Sequence, residues 1–73
     1  MDNASDSIAL QVNGETKTCL PGTHLPEFLT RVGLNPKLVA VEYNGEILAR
    51  PLWDSTTLQP NDQLEIVTIV GGG

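Results

Sequence analysis

Two Asn-Gly pairs constrain the fold of this chain more than any other feature of its sequence. Asn13-Gly14 and Asn44-Gly45 can each supply the two positive-φ positions of a tight hairpin turn. Each pair separates two runs of residues with β-strand character, which cover positions 8–12, 15–20, 38–43 and 46–49. The sequence therefore predicts two β-hairpins, one in each half of the chain.

One amphipathic helix is predicted between the hairpins. Its apolar residues recur at helical spacing and form a single stripe, made of Leu25, Phe28, Leu29 and Val32. The helix start can be read in two ways. With Thr23 as the N-cap, Pro26 occupies the capping-box position, whereas with His24 as the N-cap that position holds Glu27. At the other end, Gly33 can adopt the left-handed conformation that ends a helix.

A last strand is predicted at residues 64–69, after a turn at Pro60-Asn61-Asp62, while residues 50–58 show no clean period. Five strands and one helix can bury the helix stripe only against one face of a mixed sheet, which gives an α+β fold. A right-handed crossover through the helix places the first and last strands side by side and parallel at the sheet centre. This topology is the β-grasp, or ubiquitin-like, fold.

The charge of the chain limits its partners. Nine acidic and four basic residues give a formal net charge of −5 at pH 7. This charge repels phosphate backbones and anionic membranes, so neither nucleic acid nor a membrane is expected as a partner. A basic protein surface is the natural complement, although an acidic balance serves solubility equally well.

The location of the protein is predicted from two further features of the sequence. The first residues, MDNASDS, contain neither the basic region nor the apolar run of a secretion signal. No apolar stretch approaches the roughly 20 residues that a membrane-spanning helix needs. We therefore expect a cytoplasmic protein.

Three residues that could carry chemistry or recognition are expected to be structural. Cys19 is the only cysteine and is expected to pack, although strand alternation would place Thr18 and Leu20 inside and leave Cys19 outside. His24 has no second ligand at metal-binding spacing. Trp53 is expected to cover one end of the core, and anchoring of a partner is the alternative.

The last three residues, Gly71, Gly72 and Gly73, are the strongest indication of function. Glycine has no side chain to pack and the largest backbone entropy to lose, so a flexible tail is expected at 70–73, behind a domain at 8–69 and a flexible leader at 1–7. Such a tail can enter a channel too narrow for any β-carbon and present the Gly73 carboxylate to a partner's active site. The chain has no phosphate-binding glycine motif, so a partner must activate that carboxylate. A merely flexible end is the alternative.

Specific segments link this chain to a known family. They are VNGE at 12–15, LPGTHLPEFL at 20–29, VAVEYNGEILAR at 39–50, Trp53, and DQLEIVTIVGGG at 62–73. With these segments the chain resembles the bacterial sulfur carrier proteins of thiamine biosynthesis, in the β-grasp superfamily that includes ubiquitin and the small subunit of molybdopterin synthase. The resemblance spans residues 8–73. His24, Pro26 and the leader before Ile8 depart from the family pattern, and they affect stability rather than chemistry.

The resemblance implies a carrier that is not itself an enzyme and binds no cofactor. An adenylating enzyme of the ubiquitin-activating type would use ATP and magnesium to convert the Gly73 carboxylate to an acyl adenylate. Sulfur from a cysteine desulfurase would then replace AMP, and the resulting thiocarboxylate would donate its sulfur to thiazole synthase. Gly71 and Gly72 would fit the narrow entry to each active site. The carrier would be a monomer alone.

A docking surface is predicted on the helix-free face of the sheet. If Leu64 points into the core, Val67 and Ile69 lie on the opposite face, near Ala40 and Glu42 of the third strand. An apolar patch there would suit a partner. Isolated exposed aliphatic residues are an equally good interpretation.

Two other functions are compatible with the same fold and tail. One is a ubiquitin-like modifier that forms isopeptide bonds, and the other is the molybdopterin synthase small subunit, which is also a sulfur carrier. Lys17 and Lys37 are the only lysines, which is few for a modifier that builds chains on itself. The length and the GGG end favour the thiamine pathway.

Overall fold

The computed structural model describes residues 6–69 of the 73-residue chain. The strands are β1 (Ile8–Val12), β2 (Glu15–Cys19), β3 (Val39–Tyr43), β4 (Glu46–Ile47) and β5 (Gln63–Thr68), and the helix is α1 (Leu25–Arg31). Two 3₁₀ helices, Pro36–Leu38 and Arg50–Ser55, lie in the connections. Most of the predicted leader and all of the predicted tail at 70–73 fall outside the described residues.

The five strands form one mixed sheet in the order β2-β1-β5-β3-β4. β1 and β5 are parallel neighbours at its centre, with Gln11 opposite Gln63 and Val12 opposite Leu64. The other strand pairs are antiparallel. This arrangement confirms the predicted β-grasp topology, in which two hairpins flank a helical crossover.

The core lies between α1 and one face of the sheet. Its fully buried side chains come from α1, from alternating positions of the three central strands and from the connection before β5, and the largest are Phe28, Leu10, Leu25, Leu29, Leu58, Leu64 and Val41. Burying one such side chain contributes about 1.5–3 kcal/mol, so Leu25, Phe28 and Leu29 are the main source of stability of α1. Val32, predicted in the same apolar stripe, follows the helix as its C-cap and is 39% exposed. Trp53 is 5% exposed and donates from Nε1 to the Leu48 carbonyl at 2.9 Å, which confirms its predicted place in the core.

The two ends of α1 are stabilised differently. His24 is the N-cap and contributes no side-chain hydrogen bond, so the alternative with Thr23 as the cap is wrong. The Thr23 hydroxyl instead donates to the Leu20 carbonyl at 2.7 Å. At the C-terminal end, Gly33 has a φ of +91° and Leu34 donates its N–H to the Leu29 carbonyl at 2.9 Å. This is a Schellman ending, which confirms the stop predicted at Gly33.

Strand alternation predicted the wrong core-facing side of β2. Cys19 is buried and Leu20 is 49% exposed, whereas strand alternation suggested the reverse. The two-residue Asn13-Gly14 turn makes Val12 and Glu15 opposite neighbours, and this register pairs Cys19 with Ile8. Directly opposite residues of an antiparallel pair share a face, so Cys19 lies on the core side. The packing role expected for Cys19 is confirmed.

Candidate functional site

β5 is the element that leads to the glycine tail, and it is held along its length. β3 pairs with it from Val39 opposite Thr68 to Tyr43 opposite Leu64. One residue further, Ile69 donates its N–H to the Leu38 carbonyl at 2.7 Å. The chain is therefore fixed to the body up to the last described residue. Gly71, Gly72 and Gly73 lie outside the described range, so their predicted roles remain predictions.

The asparagines of both hairpin turns bind β5 or the residue that precedes it. Asn13 accepts from the Ile66 N–H at 2.7 Å and donates from Nδ2 to the Ile66 carbonyl at 3.1 Å. Asn44 accepts from the Gln63 N–H at 2.8 Å and donates to Asp62 Oδ1 at 3.2 Å. Each hairpin is thereby attached to the central strand by a side chain. The Asn-Gly pairs predicted that both residues form turns, but they did not predict these side-chain contacts.

Asp62 is a buried carboxylate that fixes the turn before β5. It is 6% exposed and accepts from the Gln59 N–H at 2.7 Å and from the Tyr43 hydroxyl. Burial, together with the hydrogen bond to Asp62 and its negative charge, raises the pKa of Tyr43 to about 12. The sequence identifies Asp62 only as a turn residue, because nothing in a single sequence indicates that an aspartate in a turn is buried.

Arg50 joins three segments beside the end of β5. Its guanidinium donates to the carbonyls of Pro36 and Val39, both at 2.7 Å, and lies 4.7 Å from the centroid of the Trp53 ring. Val39 is the β3 residue opposite Thr68. Arg50 therefore stabilises the region from which residues 70–73 follow.

The predicted docking surface lies on the helix-free face. Val67 is 60% exposed, Ile69 is 44% exposed and Ala40 is directly opposite Val67. A shallow groove of about 170 Å³ on this face is lined by Ala40, Val41, Glu42, Ile47, Glu65 and Val67. Three of the four predicted residues thus meet in one groove, and Ile69 is exposed without lining it.

Ile47 and Glu65 are groove residues that sequence analysis missed. Ile47 is 80% exposed and lies opposite Glu42, because the Asn44-Gly45 turn sets the register of β3 and β4. The turn itself was the signal that could have located Ile47. Glu65 lies opposite Glu42 on the β5 side of β3, and its place in the groove follows from the pairing of β3 with β5.

The described residues contain few groups suited to catalysis. Within 6–69 there is no cluster of three or more His, Cys, Asp or Glu residues that could hold a metal ion. Burial raises the pKa of the Cys19 thiol. Cys19 is therefore a poor nucleophile. None of the helices in this part of the chain is long and apolar enough to cross a membrane.

Comparison with known proteins identifies the family. Residues 10–73 match the ThiS family model, which covers β5 and the whole glycine end. The chain belongs to the ThiS family. A crystal structure of the ThiS protein from Geobacter metallireducens is similar over 90% of this chain and all of its own, with 33% identity and a TM-score of 0.77. Family and structural similarity both confirm the resemblance inferred from the sequence.

Relatives that contain a region similar to this chain differ in length. The protein ycf40 of Pyropia yezoensis is 42% identical over 67 residues, which is 92% of this chain and 94% of the relative. A thiazole synthase of Magnetococcus marinus is 38% identical over 66 residues, which is 90% of this chain and only 20% of that protein. A region similar to this chain therefore occurs both as most of a small protein and as a minor part of a much larger one.

Proposed function

We propose that this chain is the sulfur carrier that supplies thiazole formation in thiamine biosynthesis, and that Gly73 bears the sulfur. The observation that carries the proposal is the match of the ThiS family model through the last residue, Gly73. The structure supports it in a second way, because β5 and the following Ile69 are hydrogen-bonded to their neighbours just before the glycines. A firmly held strand followed by glycines suits presentation of a terminus.

The chemistry proceeds in two steps on that terminus. A carboxylate oxygen of Gly73 attacks the α-phosphorus of ATP, pyrophosphate leaves with magnesium, and an acyl adenylate forms. Hydrosulfide, released by a thiol reductant from the persulfide of a cysteine desulfurase, then attacks the acyl carbon. With hydrosulfide, AMP and a proton are released and the product is a thiocarboxylate. Both steps take place in the adenylating enzyme, and the chain acts as its substrate and not as an enzyme.

Gly71 and Gly72 connect the body to the reacting group. A side chain on either residue would obstruct a narrow entry channel, and glycine adds none. Gly73 follows Val67 by six positions. An extended chain spans at most about 3.3–3.6 Å per residue, so the reacting carbon lies within about 20–22 Å of Val67 in the groove. The surface of Val67, Ile69, Ala40 and Glu42 can therefore dock on the enzyme that acts on Gly73.

Thiazole synthase is proposed as the acceptor of the sulfur. Two proteins named thiazole synthase each contain a region similar to 90% of this chain, which spans 20% of their length. Joining two functions in one polypeptide raises their effective concentration, which suits a carrier and its acceptor. This chain would act in the cytoplasm as a monomer that meets the adenylating enzyme and the synthase in turn.

Intact-mass measurement tests this function. The purified chain is incubated with an adenylating enzyme of the ubiquitin-activating type, ATP, magnesium and hydrosulfide. We expect a mass gain equal to the difference between one sulfur and one oxygen atom. The Cys19→Ala variant serves as the control and should gain the same mass, because Cys19 is buried and not the carrier group. Conjugates to lysine would instead indicate a protein modifier.

A second measurement identifies the acceptor. The thiocarboxylate form is presented separately to thiazole synthase and to the large subunit of molybdopterin synthase. We expect complex formation and sulfur loss with thiazole synthase. Sulfur transfer only with the molybdopterin synthase subunit would contradict the thiamine assignment and leave the carrier chemistry standing.

A further inference from the structure

Two glutamates face each other without compensation on the helix-free side of the sheet. Glu42 on β3 and Glu65 on β5 are direct cross-strand partners, and both are exposed. Like charges in this position destabilise a sheet. The sequence therefore carries an unfavourable pair at the centre of the face that sequence analysis predicted for docking.

The cations of the chain do not neutralise this pair. Within residues 6–69, neither Glu42 nor Glu65 takes part in an ion pair. Lys17 is bound to Glu15 at 3.6 Å and Arg31 to Glu27 at 3.5 Å. Arg50 is committed to two backbone carbonyls and the Trp53 ring. Lys37 lies in a 3₁₀ helix two residues before β3 begins.

The two carboxylates lie in an apolar setting. They line the same groove as Ile47 and Val67, whose side chains are 80% and 60% exposed. Glu42 has Ile47 as its partner on β4 and Glu65 as its partner on β5. A ligand seated there would meet negative charge and apolar surface together.

We propose that this groove receives an arginine of the adenylating enzyme, with the guanidinium bound by Glu42 and Glu65 and an apolar side chain packed on Ile47 and Val67. The inference rests on the proposed function, because the partner is the enzyme that acts on Gly73. A guanidinium is planar, donates in a fork that can serve two carboxylates, and is less strongly hydrated than an ammonium group. Its stem can pack against the aliphatic walls.

Charge-matched variants separate this groove from general electrostatic attraction. E42Q/E65Q and the control E27Q/D54N both change the net charge from −5 to −3, since each replaces two of the nine acidic residues (−5 + 2 = −3). Glu27 lies on α1 and Asp54 in the second 3₁₀ helix, and both are exposed. The assay is release of pyrophosphate by the adenylating enzyme with ATP, magnesium and the full chain as substrate.

The groove variant should impair docking and leave the chemistry intact. We expect E42Q/E65Q to raise the KM for the carrier about tenfold with kcat within about twofold, because the tail is unchanged and a paired charge is lost. The control should change KM less than about threefold, through steering alone. Thermal unfolding of E42Q/E65Q should occur no lower than in the unaltered chain, because the repulsion is removed. This combination distinguishes a recognition role from a structural one.

A second variant tests the apolar half of the groove. Val67→Thr keeps the β-branched shape and places a hydroxyl on the apolar wall, so KM should rise several-fold. Equal KM values for E42Q/E65Q and E27Q/D54N would overturn the proposal. Self-association of the unaltered chain in sedimentation, if Val67→Thr abolishes it, would also overturn the proposal, because a second copy of the chain would then occupy the groove. Absence of any adenylation of the unaltered chain would instead contradict the proposed function.

Discussion

At the scale of single residues, the hairpin asparagines do more than turn the chain. Asn13 has a φ of +52° and also forms two side-chain hydrogen bonds with the Ile66 backbone. Asn44 has the same φ and binds Gln63 and Asp62. Both residues thus couple a local turn to the central strand, and glycine could replace only the first of these roles.

Replacement of Asn13 by glycine separates the two roles. The substitution accepts the left-handed backbone and removes both contacts with Ile66, so the free energy of unfolding should fall by about 1–2 kcal/mol. Urea unfolding measures it. Asn61→Gly is the matched control, because Asn61 also has a positive φ, of 70°, at an exposed position. The control should change stability by less than about 0.5 kcal/mol. Equal losses in both variants would show that only the turn matters.

Tyr43 gives a second prediction at this scale. It is the only tyrosine, so absorbance of the phenolate reports it alone. Its pKa is raised from 10.0 to about 12, first by burial and then by Asp62. The folded state therefore holds this proton more tightly, and the associated stability is complete below pH 10 and is lost as pH rises through about 12.

The measurement is an alkaline titration with circular dichroism recorded in parallel. We expect the phenol to ionise near pH 12 in the folded chain. Asp62→Asn should lower that value and leave it above 10, because the charge is removed and burial remains. Ionisation of the folded, unaltered chain at its ordinary pKa would contradict the buried contact between Tyr43 and Asp62.

At the scale of elements, the start of β3 and the end of β5 are stabilised by one side chain. Arg50 bonds to the Pro36 and Val39 carbonyls, and the intervening Leu38 carbonyl accepts from Ile69. The 3₁₀ helices thus hold the corner from which residues 70–73 follow. Irregular segments around a regular sheet determine how firmly its last strand is held.

Arg50→Lys tests this role. Lysine keeps the charge and loses the forked donor that reaches both carbonyls, so the free energy of unfolding should fall by about 1–2 kcal/mol. Amide hydrogen exchange at Ile69 should accelerate more than exchange at Leu64, which lies at the other end of β5. Uniform acceleration along β5 would show that Arg50 stabilises the domain as a whole and not this corner.

Much of the element order follows from local signals in the sequence. The two Asn-Gly turns, the apolar stripe of α1 and the stop at Gly33 were sufficient to predict the sheet topology. Strand alternation failed at Cys19, because β2 is an edge strand whose other residues are all exposed and give no apolar pattern. β4 has only two residues where four were predicted, and the chain then enters a 3₁₀ helix at Arg50.

Part of the candidate site was predictable from the same local strand patterns. Val67, Ala40 and Glu42 follow from alternation along β3 and β5. Placing Ile47 in the groove required the register of the β3–β4 hairpin. The hydrogen bonds of Asp62 become visible only in the folded turn. The role of Gly73 came from its place in the sequence and from the family, and it stays a prediction because the structure describes residues 6–69.

At the scale of the whole molecule, the proposed function assigns recognition to the folded body and reaction to the terminus. The body has its helix on one face of the sheet and a groove with two carboxylates on the other. Removal of Gly73 should therefore leave thermal unfolding unchanged, because the core described above ends with β5. Loss of the fold on this deletion would mean that the terminus is structural.

The most direct test of the central claim is to locate the sulfur by fragment mass spectrometry after loading. Full-length chain and chain lacking Gly73 are incubated side by side with the adenylating enzyme, ATP, magnesium and hydrosulfide. The account predicts a sulfur-for-oxygen mass gain only in the fragment that ends at Gly73, and none in the shortened chain. Sulfur on the fragment containing Cys19, or equal loading of both chains, would contradict it.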